Sequence, residues 1–201
     1  MGILSSSVSI TRYRVNGKIE QPVLETISNK LEKRKIREID GKTDQVSVGW
    51  TCFDDPYHPD FLLNRSFVIG NYIVFAMRLD KKSIPSKLVK KLYIEKSKRR
   101  LKETGRDFLT RDEKEGISDG IIKKLCISIP AAPNVYDIIW NCEENWLWFF
   151  TNVKSANEAL ETLFQETFEM RLVRIFPYTL ARNSFLNNDA KIDLLHQLAH
   201  K

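Results

Sequence analysis

Between Pro85 and Pro133 the hydrophobic pattern of the chain changes period, and no other feature constrains the fold as tightly. On either side apolar residues alternate, as at Val46, Val48 and Trp50, which is the spacing of a strand. Inside the interval the spacing is helical: Leu88, Val89, Leu92 and Tyr93 fall within one arc at about 100° per residue, a face that can be buried. Further along VKKLYIEKSKRRLKETGR, Val89 to Arg106, the same arc carries Lys96, Arg99 and Arg100. A core-facing helix does not turn unpaired cations inward, because stripping water from an unpaired charge is costly. The second half of this helix is therefore expected to leave the body of the protein.

Val8, Ile10, Tyr13 and Val15 predict a first strand, and Pro22 opens a helix to about Arg37. A turn at Gly41–Asp44 leads to the strand of Val46, Val48 and Trp50, then to the loop TCFDDPYHPDFLLN. Phe67–Ile69 and Tyr72–Leu79 flank Gly70-Asn71 as a tight hairpin. The basic helix runs from Pro85 to about Thr104, with Gly105 as its stop, and Thr110 with Glu113 forms the capping box of a second helix. Strands return at Val135–Trp140 and Trp146–Thr151, the latter apolar at both parities as in a central strand. A helix over Asn152–Phe168 and a strand over Leu172–Phe176 follow. The predicted class is α+β: two similar sheet-plus-helix half-units, 1–79 and 127–180, around an inserted helical arm at 80–126, with a C-terminal helical tail at 181–201.

Charge is concentrated where the helical interval lies. The net charge is +6, and from Lys81 to Arg106 alone eleven Lys and Arg stand against two acids. Such a patch is the footprint of a polyanion, or the solvated face of an exposed helix. Three cysteines without C-x-x-C spacing fit a reducing compartment. No apolar run approaches the roughly 20 residues that span a bilayer. These features predict a cytoplasmic protein with no membrane partner. Met1-Gly2 with Ser6 fits a myristoylation pattern too short to carry weight.

From Phe67 onward the chain resembles the recombination-associated protein RdgC family. The residues that carry the likeness are Ile73-Val74 with Arg78, Ser83-Ile84-Pro85-Ser86, Lys98-Arg99-Arg100 with Lys102-Glu103, Ile129-Pro130, Ile138-Ile139-Trp140 and Ser155 to Leu160, in that order. The resemblance implies a nucleoid-associated protein that binds double-stranded DNA with little sequence preference and restrains recombinase filaments. It also implies a homodimer, since two chains of that family close a ring around the duplex. This chain is shorter than typical members at its C-terminus, so an open clamp is expected in place of a ring.

Lys87, Lys91, Lys98 and Lys102 form a stripe about 23 Å long within an arc of roughly 60°, able to track a phosphate backbone without reading bases. Arg99 and Arg100 lie off the stripe, placed to reach a second strand or a partner chain, and with Lys90 and Arg106 these eight cations are the candidate DNA-binding residues. No catalytic, metal or cofactor residues are assigned. Members of the family are sometimes labelled exonucleases, and Asp54, Asp55, His58 and Asp60 would suit a hard divalent ion, making a metal-dependent nuclease one alternative. Two prolines dictate that spacing, however, and a solvated loop is the simpler reading. His196-Gln197-Leu198-Ala199-His200 has Gln where a zinc protease needs Glu. Trp140, Trp146, Trp148 and Phe150 can stack on bases but are expected in the core. A protein-interaction module whose basic arm docks an acidic partner is the other alternative.

Overall fold

The computed structural model describes residues 2–62 and 68–176. The helix expected over 181–201 and the pair His196 and His200 lie outside the described residues, as does Phe67. The fold is α+β. Among the described residues seven strands form one sheet of order β2-β4-β5-β6-β1-β7, with β3 paired to β4. They are β1 (Thr11–Asn16), β2 (Val46–Thr51), β3 (Val68–Ile69), β4 (Tyr72–Lys81), β5 (Ala132–Asn141), β6 (Trp146–Phe149) and β7 (Arg171–Arg174). The helices are α1 (Val23–Lys33), α2 (Ser86–Thr104), α3 (Arg111–Ser128) and α4 (Lys154–Phe168). The chain divides into two compact units, one of Met1–Ile36, Gly49–Arg78 and Val135–Lys201, the other of Arg37–Val48 and Leu79–Asn134.

The first unit holds the larger core. Along β1 burial alternates, with Tyr13 and Val15 inward and Arg12, Arg14 and Asn16 outward, as a strand covered on one face requires. The inward face continues through Leu147 and Phe149 of β6 and Ile138 and Trp140 of β5. Helix α4 covers it with Ala156, Leu160, Leu163, Phe164 and Phe168, residues that recur at helical spacing. Trp140 meets Phe164 and Phe168 edge-on, both at 5.1 Å between centroids, and Trp50 meets Phe75 at 5.3 Å. The Trp50 indole N–H donates to Thr167 Oγ1 at 2.9 Å, so its polar end is satisfied inside the core. Helix α1 adds Ile27 and Leu31, one turn apart.

A buried hydroxyl and a bare glycine fix this packing. The Tyr13 hydroxyl lies 2.7 Å from Asn157 Oδ1 and 3.0 Å from Glu161 Oε1, and accepts from Arg174 Nη2 at 3.3 Å. Burial, then the Glu161 charge, raise the Tyr13 pKa, so the hydroxyl stays a proton donor tying β1 to α4. Gly49 sits where a Cβ would fall 2.5 Å from the backbone of Ile36, and the bridge between Lys35 and Trp50 needs that bare backbone.

The second unit is built around a helical hairpin of α2 and α3. Gly105 ends α2 in the left-handed region at φ 63°, a conformation costly for residues with a Cβ. Thr110 and Glu113 form the capping box reciprocally, Glu113 N–H donating to Thr110 Oγ1 at 3.3 Å and Thr110 N–H donating to Glu113 Oε2 at 3.0 Å. Helix α3 buries Ile121, Leu125 and Cys126, whereas no residue of α2 is fully buried. The arc of Leu88, Val89, Leu92 and Tyr93 is therefore only partly covered: Leu88 remains 36% exposed. An apolar arc gives a helix a surface to bury, but the neighbours decide how much of it is covered.

Lys82 is a buried cation of this unit, 3% exposed. Its ammonium donates to the carbonyls of Ile39 at 2.7 Å, Lys42 at 2.8 Å and Cys126 at 2.5 Å. All three N–H bonds of a lysine are thus used, and one of them ends on the last turn of α3, where carbonyls lack helical partners and carry partial negative charge.

Candidate nucleic-acid interface

Helix α2 presents cations along nearly its whole length. Lys87, Lys90, Lys91, Lys96, Lys98, Arg99, Arg100 and Lys102 are all exposed, and Arg106 follows just beyond the Gly105 stop. The sequence explains this surface directly, since 19 residues of α2 contain too few apolar positions to form a second packed face. Lys87, Lys91, Lys98 and Lys102 keep the register of the stripe because the helix runs unbroken through them.

Lysines and arginines are used differently. Arg99 pairs with Glu103 one turn on, at 3.0 Å, and Arg100 and Arg106 both approach Glu113 of α3, at 3.8 and 2.6 Å. Glu113 is held below the ordinary glutamate range, first by the Thr110 N–H and then by Arg106, so it stays ionised as the acceptor that ties the two helices together. By contrast Lys87, Lys90, Lys91, Lys98 and Lys102 form no ion pair among the described residues. Arg99 and Arg100, expected to reach a second strand or a partner, have carboxylate neighbours within their own hairpin and remain exposed. The sequence shows the Arg99 pair as an i, i+4 spacing, but Arg100 and Glu113 meet only because the chain reverses at Gly105.

The acidic loop is arranged around its own backbone. Asp55 Oδ1 accepts the N–H groups of Tyr57 and His58, each at 3.1 Å, and His58 Nδ1 lies 3.1 Å from Asp55 Oδ2. Those two backbone bonds, followed by His58, hold the Asp55 carboxyl below its usual range. Among the described residues no three His, Cys, Asp or Glu side chains come together to hold a metal ion. The tryptophans divide: Trp140 and Phe150 are buried, Trp146 is half-buried and Trp148 is exposed. No helix of the described residues is long and apolar enough to cross a membrane.

A family model described as "Putative exonuclease, RdgC" matches residues 9–187. The chain belongs to the RdgC family. The match takes in β1 through β7, so the sheet, the hairpin and the lysine stripe all fall inside it. The RdgC family is recombination-associated. Comparison with curated proteins gives no match.

Proposed function

We propose that this RdgC-family chain is a non-catalytic protein that binds double-stranded DNA without sequence preference, is associated with the nucleoid and limits recombinase filaments by occupying the duplex. The observation that carries the reading is the set of six exposed lysines on α2, Lys96 included, none ion-paired among the described residues, on a helix whose arginines lie beside carboxylates. Duplex DNA presents one phosphate charge per about 1.7 Å of axis, so a lysine stripe meets phosphates wherever it lands and reads no base edges. Gel-shift titration with unrelated duplexes at several salt concentrations tests it. Similar affinities for every sequence, falling steeply with salt, are expected.

Chemistry on the DNA is not part of this reading. Asp55 is committed to its own turn, and no nucleophile is paired with a base and an orienting group among the described residues. Purified protein is expected to leave linear duplex intact in Mg²⁺ or Mn²⁺. Degradation that disappears in the Asp54→Ala/Asp55→Ala variant would reverse this reading and restore the nuclease.

The assembly we propose is a homodimer, stable or formed on DNA, because one arm cannot enclose a duplex whereas a two-fold pair presents an arm to each strand. Light scattering should show two chains per complex at saturating duplex. A monomer both free and saturated would refute it.

A further inference from the structure

The face of the first unit's sheet opposite the α4 core has an unusual composition. Residues directly opposed across paired strands share a face. The register opposes Ile139 to Trp148 and Trp148 to Arg12, and Asn141 to Trp146 and Trp146 to Arg14, giving two cross-strand rows with the same outward parity. Solvated faces of antiparallel sheets ordinarily carry polar residues, yet this one carries two indoles and, from β4, the Tyr72 ring stacked on Trp148 at 6.4 Å and 30°. Trp148 is 37% exposed and Tyr72 41% exposed. Arg14 lies over the Trp146 ring at 5.2 Å. Arg12, Tyr72, Ile139, Trp146 and Trp148 line one groove of about 220 Å³, together with Asn141 and Glu144.

We propose that this groove is a second nucleic-acid site, separate from the lysine stripe, that takes unpaired bases of single-stranded DNA. Each base offers a flat π-face to Trp148 and Tyr72, and the chain's phosphates follow Arg12 and Arg14 along β1. Base-on-aromatic stacking tolerates any sequence and is complemented by guanidinium groups, the arrangement found in single-strand binders. A duplex cannot use the groove, since its base faces are stacked on one another. An acidic peptide would satisfy the two arginines but supply no planes for the rings. Glu144 is the one carboxylate in the lining, and its backbone N–H is engaged by Asn141 Oδ1 at 3.0 Å in the β5–β6 turn.

Labelled oligo(dT) of about 15 nucleotides, within the span of single-strand sites, is titrated by anisotropy against the full chain and against its Trp148→Ala, Trp148→Phe and Arg12→Ala variants. Each is also measured in the Lys98→Ala/Lys102→Ala background. Trp148→Ala should weaken oligo(dT) binding by roughly tenfold, the loss expected for one stacked base. Trp148→Phe should restore most of it, and duplex affinity should be unchanged. Arg12→Ala, at an exposed position, should weaken oligo(dT) alone and keeps the test valid if Trp148→Ala does not fold. If oligo(dT) binds the Trp148→Phe, Trp148→Ala and Arg12→Ala chains as tightly as the parent, or binds none of them, the groove is not a base-stacking site. Loss of duplex binding in the lysine background with the Trp148 effect retained would confirm two independent sites. A Trp148 effect that vanishes in that background would overturn the proposal.

Discussion

Lys82→Met should destabilise the protein by about 3 kcal/mol, a fall in Tm of roughly 6–12 °C for a chain of this size. The side chains are similar in length, so little packing is lost. What is lost is one charged donor to each of three carbonyls, Ile39, Lys42 and Cys126, of which Ile39 still accepts the Lys42 N–H at 3.0 Å. A buried acceptor without a donor costs about 1–3 kcal/mol, and here removing the charge does not remove its partners. Lys81→Met is the control: Lys81 is exposed and its replacement should leave Tm unchanged. Equal melting of the two variants would show that the three bonds contribute nothing net.

Replacing Lys87, Lys91, Lys98 and Lys102 together with Ala should lower duplex affinity roughly a thousandfold per arm at about 0.15 M salt. Each neutralised phosphate releases counterions and contributes about 0.9 to the slope of log K against log salt, so the four replacements act multiplicatively on the binding constant. The loss should be the same for every duplex sequence, because backbone contacts carry no base information. Far-UV circular dichroism should be unchanged, since all four side chains are exposed and none belongs to the Ile121, Leu125 and Cys126 core. Loss confined to some sequences would point to base readout instead.

The helical hairpin is legible in the sequence because its signals are local. Pro85 as N-cap, the Thr110–Glu113 box and Gly105 at φ 63° each act within a few residues, and they place the ends of α2 to within one residue. The β1 strand begins later than expected, at Thr11, and α1 stops at Lys33, four residues before the predicted end. Arg34 to Arg37 lie where the chain turns to bridge Trp50 through Lys35, and that long-range pairing overrides local helix propensity. Trp146 to Phe149 is central as its pattern predicts, between β5 and β1. A run apolar at both parities does not say which parity faces the core, however. Only the register that opposes Trp140 to Leu147 and Ile139 to Trp148 separates the buried tryptophan from the exposed one. Lys82 is invisible in the sequence for the same reason: its three partners come from positions 39, 42 and 126, and nothing local distinguishes it from Lys81.

Salt dependence of duplex binding by the parent and by Lys98→Ala/Lys102→Ala tests most directly whether the α2 lysines neutralise phosphates. Affinity is measured on several unrelated duplexes across salt concentrations and plotted log against log. The double variant should bind every duplex more weakly by the same factor, with a slope reduced by roughly two per arm. An unchanged slope and affinity would mean that the stripe is a solvated helix face and that DNA is not held there.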